Sequence, residues 1–91
     1  MKYSVEFRPA ALRNMKKFPK RVLVRIKKRI DELAIQLPDP KITKMKGKNP
    51  YHKVRCGDYR ILYEIHSDEL CILIVKVGHR KDVYRNLIHL H

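Results

Sequence analysis

The sequence predicts one small α+β domain with the element order β-α-α-β-β-β, followed by a short C-terminal helix or tail. Three observations support this fold class. The length of 91 residues is that of a single domain. Two segments in the N-terminal half have apolar residues at helical spacing, and three segments in the C-terminal half have strand-like patterns separated by short turns. We therefore expect a strand and a helical hairpin packed on a small, antiparallel-rich sheet.

The N-terminal half contains the predicted first strand and both predicted helices. Polar and apolar residues alternate over Lys2–Phe7, which is typical of a strand. Apolar residues at helical spacing predict a first helix over Pro9–Lys17. A longer stripe with a period near 3.6 residues predicts a second helix over Pro19–Leu37, and Pro38 and Pro40 end it.

The C-terminal half contains a connector, three predicted strands and a tail. The connector, Lys41–Pro50, is basic. Strands are predicted over Tyr51–Cys56, Tyr59–His66 and Leu70–Val77, with a Gly-Asp turn after the first and a Ser-Asp-Glu turn after the second. The last strand has apolar residues on both faces, as expected of a central strand. The tail, Gly78–His91, has only a weak helical pattern.

Composition excludes several classes of protein. Lys and Arg number 22 and Asp and Glu 9, which gives a formal net charge of +13 and favours polyanionic partners. The two cysteines, Cys56 and Cys71, lie in strand-like runs, so we expect free thiols in a reducing cytoplasm. No apolar run approaches the ~20 residues that span a bilayer, and the N-terminus does not resemble a signal peptide. We therefore expect neither a secreted nor a transmembrane protein, nor a disulfide scaffold.

Basic residues concentrate in the two predicted helices and in the connector. Between Arg8 and Arg29 the chain has no acidic residue, whereas an ordinary solvated helix mixes charges of both signs. The mutual repulsion is relieved if a polyanion binds there through its phosphates. The predicted RNA-binding residues are Lys16, Lys17, Lys20, Arg21, Arg25, Lys28, Lys44, Lys46 and Lys48.

The sequence offers few routes to chemistry. The five histidines lack metal-ligand spacing, the three glycines form no phosphate loop, and carboxylates are not paired, so we expect no metal and no cofactor. Lys, Arg, Tyr and His instead concentrate in Tyr51–Arg55, Asp58–Arg60 and Gly78–Arg85. Such a set suffices for metal-free RNA cleavage, because arginines can neutralise a phosphorane and a Tyr or Lys can act as base. A purely structural alternative is that the arginines pair with nearby carboxylates or with main-chain carbonyls.

The stretches YSVEFRPAALRNMKKFP, PYHKVRCGDYRILYEI and VGHRKDVYR resemble the RelE/ParE toxin superfamily of toxin–antitoxin systems, and the resemblance covers nearly the whole chain. It implies the RelE-like fold. RelE-like members are ribosome-dependent endoribonucleases that cut messenger RNA in the A site and are neutralised by an acidic antitoxin. ParE-like members share the fold but inhibit DNA gyrase.

The resemblance also implies roles for five residues. The motif positions of the family fall on Lys53, Arg55, Arg60, Arg80 and Tyr84. Tyr84, or a lysine of lowered pKa, would be the base on the 2′-hydroxyl, and Arg60 would hold the phosphate. Lys53 and Arg55 would stabilise the charged transition state, and Arg80 would lie near the leaving oxygen.

Two features depart from the family pattern. Arg55 stands where a lysine is common, which removes one titrating amine. His79 lies beside Arg80 and would donate a proton more readily than a guanidinium, so either residue could be the general acid.

Because the five motif residues occur together, the resemblance favours a RelE-type messenger-RNA interferase. Its expected partners are a RelB-like acidic antitoxin and the ribosome with its messenger RNA and small-subunit ribosomal RNA, without a membrane. The alternative is a ParE-like gyrase inhibitor or an inactive family member.

Overall fold

A computed structural model describes residues 2–80 of the chain. The predicted α+β order is confirmed for these residues, and residues 81–91 of the predicted tail lie outside them. No helix within residues 2–80 is long and apolar enough to cross a membrane. The elements in chain order are β1 (Ser4–Phe7), α1 (Pro9–Lys16), α2 (Lys20–Ile35), α3 (Pro40–Thr43), β2 (His52–Cys56), β3 (Tyr59–His66) and β4 (Cys71–His79), with a 3₁₀ turn at Ser67–Glu69 between the last two.

The structure differs from the prediction in the connector and in the last strand. The predicted connector is in part the short helix α3, because Pro40 suits a first helical position and Oδ1 of Asp39 accepts a hydrogen bond from the Lys41 amide at 3.0 Å. Strand β4 continues past the predicted end at Val77 to His79, since its ladder with β3 extends to the pair of Tyr59 and His79.

The four strands form one mixed sheet in the order β1-β4-β3-β2. Strand β1 is parallel to β4, and the β2–β3 and β3–β4 pairs are antiparallel, so the expectation of an antiparallel-rich sheet is confirmed. As predicted, β4 is an interior strand with neighbours on both sides.

Both long helices pack on one face of this sheet, here called the helix-side face; the opposite one is the far face. Ala11 of α1 and the buried stripe of α2 meet alternate residues of the strands. Alternation therefore assigns the intervening strand residues to the far face. The helix-side core consists of Ala11, Ile26, Ile30, Leu33, Val54, Ile61, Tyr63, Ile72, Ile74 and Val77.

A β-bulge in β4 interrupts this alternation. Tyr63 pairs with Ile74 but Leu62 pairs with Lys76, so Val75 is an extra residue in the ladder. Ile74 and Val77 consequently both lie in the helix-side core although they are three positions apart. Regular alternation from Ile74 would have put Lys76 into the core. The bulge turns this lysine to the far face.

Helix α3 is attached to β2 by a buried polar contact. Oγ1 of Thr43 lies 2.9 Å from Nδ1 of His52, and the His52 ring stacks on Tyr63 with the ring centroids 5.5 Å apart. Burial, with a smaller contribution from the charge of Lys44, lowers the pKa of His52 below its ordinary value. The neutral imidazole is thus the form that this packing favours.

Candidate active site

The predicted site residues surround a tight hairpin turn. Cys56 pairs with Tyr59, so the β2–β3 connection consists of Gly57 and Asp58 alone. Gly57 has a φ of +60°, a conformation that suits glycine at the first central position of such a turn. The turn sets the register of the whole hairpin.

That register places Arg55 directly opposite Arg60 on the far face. Lys53 lies two residues before Arg55, and its side chain is exposed on the same face. Three of the residues that the resemblance predicts therefore share one face of two adjacent strands. Alternation along β2 predicts that Lys53 and Arg55 share a face, and the pairing of β2 with β3 adds Arg60 to it.

The guanidinium of Arg60 is held at the turn by main-chain carbonyls. Its Nη1 donates to the carbonyl oxygens of Gly57 at 3.3 Å and Tyr59 at 3.2 Å. The structural alternative is therefore correct in part for Arg60. Both contacts use Nη1, and a guanidinium carries further N–H donors on its other nitrogens. The anchored side chain can still hold an anion.

Two other arginines reach the same turn. The main-chain N–H of Arg80 donates to the Asp58 carbonyl at 2.8 Å, and the side chain of Arg80 is exposed. From the helix side, a Cβ built on Gly57 would lie 2.9 Å from Nη2 of Arg25. The turn is thus in contact with the guanidinium group of Arg60 and with the main chain of Arg80, and the guanidinium group of Arg25 lies close to it on the helix side. We call Lys53, Arg55, Arg60 and Arg80 the cationic cluster.

Glu64, a carboxylate on the same strand as Arg60, forms its contacts with other residues. Its two carboxylate oxygens lie 2.8 Å from Nη2 of Arg8 and 3.0 Å from Nε2 of His66. Glu64 is four residues from Arg60 along β3, a separation of ~13 Å. Arg60 therefore does not pair with Glu64 in the structure.

His79 is not brought into the cluster. The ring of His79 packs edge-on against Tyr59 at 5.9 Å, and Tyr59 packs against Phe18 at 5.0 Å. Since Tyr59 borders the helix-side core, His79 lies on the opposite side of the sheet from Arg60. Tyr84 lies outside the described residues.

Lys76, which the sequence did not single out, lies on the far face beside the cationic cluster. It pairs with Leu62, which pairs with Lys53 on its other side, so the three form one row across the far face. A lone lysine inside the apolar run CILIVKV was a signal. The bulge that sets its direction has no recognisable sequence pattern here.

The predicted RNA-binding residues are all exposed. Helix α2 begins with Lys20 and Arg21, has no acidic residue in its first turn, and has Asp31 and Glu32 toward its C-terminal end. This arrangement is the reverse of what the helix dipole favours, which is negative charge at the N-terminus. Positive charge there is unfavourable for the isolated helix and suited to binding an anion.

Comparisons with known proteins agree with these features. The family model of the ParE toxin of the type II toxin–antitoxin system parDE matches residues 5–84. Toxin RelE3 of Methanocaldococcus jannaschii is 36% identical over 84 residues, which are 88% of this chain and 93% of that protein. The mRNA interferase toxin RelE of Escherichia coli is 25% identical, with 97% of this chain and 96% of the relative aligned.

Solved structures agree as well. A chain of the toxin–antitoxin complex RelBE2 from Mycobacterium tuberculosis superimposes with a TM-score of 0.75 and 26% identity, covering 88% of this chain and 100% of that one. The family-model match spans most of the sequence, and the relatives match over nearly their full length. The chain therefore belongs to the RelE/ParE superfamily of toxins from type II toxin–antitoxin systems.

Proposed function

We propose that this toxin is a ribosome-dependent endoribonuclease that cuts messenger RNA in the A site and thereby arrests translation. The observation that carries the proposal is the cationic cluster, in which Arg55 faces Arg60 directly and Lys53 and Arg80 are close by in the fold. Lys53, Arg55 and Arg60 lie together on one sheet face beside the hairpin turn, an arrangement that suits binding of a phosphate group.

The proposed reaction is a transesterification within the RNA. The 2′-hydroxyl loses its proton to a base and its oxygen attacks the neighbouring phosphorus; the P–O5′ bond breaks, and the 5′ oxygen accepts a proton. The products are a 2′,3′-cyclic phosphate and a 5′-hydroxyl end. This chemistry balances without a metal or a redox cofactor.

The cluster supplies charge stabilisation for this reaction. Arg60, held by two carbonyls, would bind the nonbridging phosphate oxygens through its remaining donors, and Lys53 and Arg55 would offset the charge that builds up on the phosphorane. Tyr84 remains the proposed base. With His79 on the other side of the sheet, Arg80 is the proposed group at the leaving oxygen.

The ribosome would supply much of the positioning. Among residues 2–80, the cluster contains no histidine pair of the kind that a self-sufficient ribonuclease uses, so orientation of the substrate by the ribosome would contribute to the rate. The exposed basic residues predicted to bind RNA would bind small-subunit ribosomal RNA through its phosphates; they are Lys16, Lys17, Lys20, Arg21, Arg25, Lys28, Lys44, Lys46 and Lys48. This surface is separate from the cationic cluster in sequence, so the two roles can be tested separately.

The proposed regulator is an acidic, RelB-like antitoxin. Structurally similar chains have been solved within toxin–antitoxin complexes from M. tuberculosis and M. jannaschii. A net charge of +13 favours a partner that pairs carboxylates with the Arg and Lys surface. The proposed site of action is the cytoplasm, where ribosomes and antitoxin are present.

A second candidate function is inhibition of DNA gyrase. It is favoured by the match to a family model that bears the name of ParE. This function would need the fold and the basic surface but no phosphate-centred chemistry.

Mapping of transcript ends tests the two candidates side by side. Purified toxin is added to ribosomes translating a defined message, and new 5′ ends are located by primer extension; a gyrase supercoiling assay is run with the same preparation. We expect cuts at A-site codons and unimpaired supercoiling, and loss of the cuts in Arg60→Ala. Intact messages together with impaired supercoiling would reject the nuclease and support the second candidate.

A further inference from the structure

We propose that Lys76 is an additional catalytic residue, whose ammonium group binds the scissile phosphate and stabilises the negative charge of the transition state. This inference rests on the proposed endoribonuclease function and extends its site by a residue on a third strand.

The register defines the position of Lys76 relative to the cationic cluster. Lys53, Leu62 and Lys76 form one row across β2, β3 and β4, and Arg55, Arg60 and Gly78 form the next row toward the turn. Adjacent strands are ~4.8 Å apart, so the Cα atoms of Lys53 and Lys76 are separated by roughly 10 Å. Two lysine side chains can reach one phosphate from opposite sides across that gap.

Leu62, between the two lysines, is an apolar residue buried on the far face of the sheet. It is fully buried, with 0% of its surface exposed, and it is absent from the helix-side core. Lysine stems commonly lie along such apolar surface and keep the ammonium group at its edge. Charge interactions are stronger beside a buried apolar residue than in open water.

The bulge is the feature that points to function. Without the bulge, a strand that keeps Ile74 in the helix-side core would also place Lys76 in that core and would place Val77 on the far face. The extra residue, Val75, lets both apolar residues stay in the core while Lys76 faces the same side as Arg60. Bulges are frequent beside active sites because they change the direction of a side chain in this way.

Lys76 also compensates for the departure noted on β2. Arg55 stands where a lysine is common in the family, so the far face has lost one ammonium group at that position. Lys76 supplies one from the other side of Arg60's strand. Unlike a guanidinium, an ammonium group is a compact point charge that can approach a single phosphate oxygen.

Single-turnover cleavage of a defined message on programmed ribosomes tests the proposal with four proteins: the parent, Lys76→Gln, Lys76→Arg and Lys41→Gln. An apolar residue at position 76 could favour a shifted register that buries it in the core. Glutamine is polar and does not favour that shift. We expect Lys76→Gln to cleave ~10- to 100-fold more slowly, since a donor to transition-state charge is lost. Lys76→Arg keeps the charge but not the compact ammonium group, so it should recover only part of the rate, and the exposed Lys41 on α3 serves as the matched control.

Binding provides a readout that does not depend on cleavage. An RNA oligonucleotide with a 2′-deoxy position at the cut site cannot be cleaved, and its affinity is measured over a range of salt concentrations. Loss of one phosphate contact in Lys76→Gln should lower the slope of log affinity against log salt by ~0.7, while Lys41→Gln leaves it unchanged. If Lys76→Gln melts below the parent, Lys76→Thr, with its high strand propensity, replaces it.

These outcomes separate the inference from the proposed function. If the parent cleaves and Lys76→Gln cleaves equally fast, Lys76 is not catalytic and the inference is overturned. If the parent itself does not cleave, the endoribonuclease function fails, and the salt slope alone decides whether Lys76 binds phosphate. Equal slopes for Lys76→Gln and Lys41→Gln would then reject that contact too.

Discussion

Arg55 and Arg60 face each other across the β2–β3 hairpin, two like charges at directly opposed positions on the far face. Their Cβ atoms are ~5 Å apart in such a pair, and like charges there are unfavourable for folding. The register is set by a two-residue turn, so the pair is a fixed consequence of the hairpin. Such a pair is understandable if the protein's ligand carries the opposite charge.

Removing one of these charges should therefore stabilise the fold and impair function. We expect Arg55→Gln to raise the free energy of unfolding by up to about 1 kcal/mol in low salt, because cross-strand repulsion is removed. Cleavage of messenger RNA on the ribosome should fall at the same time. Urea unfolding at low salt and near 1 M salt checks the cause, since the stabilisation should vanish where charges are screened. Equal stability of parent and variant in low salt would contradict the repulsion.

Loss of Arg80 should remove activity without disturbing the fold. The contact that Arg80 makes with the turn uses its main-chain N–H, which alanine retains, and its side chain is exposed. We expect Arg80→Ala to melt like the parent and to lower cleavage by ~100-fold. Arg13→Ala, an exposed arginine of α1, is the control. A folded Arg80→Ala protein with the parent's cleavage rate would remove Arg80 from the site.

Tyr84→Phe tests the proposed base by deleting one hydroxyl. We expect cleavage to be lost while RNA binding stays at the parent's level, because the phenol oxygen would accept a proton without adding affinity. Affinity for an uncleavable message on the ribosome supplies the second measurement. Cleavage at the parent's rate would assign the base to another residue, with Lys53 the next candidate.

Charge at the start of α2 should have opposite effects on stability and on ribosome binding. Replacing Lys20 and Arg21 with glutamate puts negative charge at the positive end of the helix dipole, which should stabilise the protein by ~0.3–1 kcal/mol per site. Affinity for ribosomes should fall, and fall more at low salt than at high salt. Thermal melts and ribosome co-sedimentation measure the two effects. Unchanged co-sedimentation would exclude this end of α2 from the ribosome contact.

Stability should decrease in mild acid because of His52. Its pKa in the folded protein is below the ordinary value of 6.5, so the unfolded chain binds more protons once the pH falls under that value. The stabilising contribution is complete above about pH 6.5 and is lost as the pH falls toward the folded pKa. Urea unfolding of the parent and His52→Gln between pH 7.5 and 5 measures it. The variant should have the smaller dependence on pH; equal dependence would assign the acid sensitivity to other groups.

Much of the fold follows from features that lie close together in the sequence. The two helices and the β2–β3 hairpin are set by local apolar periodicity, by prolines and by the Gly57 turn, and sequence alone predicted all three. The short helix α3 was missed because Pro40 reads equally well as the end of one helix and the start of the next. The end of β4 was missed because Gly78 resembles a strand terminus, whereas pairing with β3 carries the strand onward.

The candidate site was predictable where it depends on alternation and not where it depends on pairing. Alternation along β2 predicted that Lys53 and Arg55 share a face, as they do in the structure, whereas the common face with Arg60 depends on the pairing of β2 with β3. His79 is the contrasting case. Proximity to Arg80 in sequence suggested a shared site, yet its pairing with Tyr59 puts it on the other side of the sheet. Which face of the sheet His79 occupies depends on the register of β4 with β3, and that register depends on residues distant in the sequence.

The bulge at Val75 gives β4 a distinctive pattern of tolerance to mutation. In a saturation scan, polar residues should prevent folding at Ile72, Ile74, Val75 and Val77. The sensitive positions alternate up to Ile74, and the bulge shifts this alternation by one residue after it. Substitutions at Lys76 should act differently. They should remove toxicity while the protein still folds and still binds antitoxin. A selection for loss of toxicity should therefore recover two kinds of variant from codons 75–77. Variants at Val75 and Val77 would be non-toxic because they do not fold, and variants at Lys76 would be non-toxic although they fold.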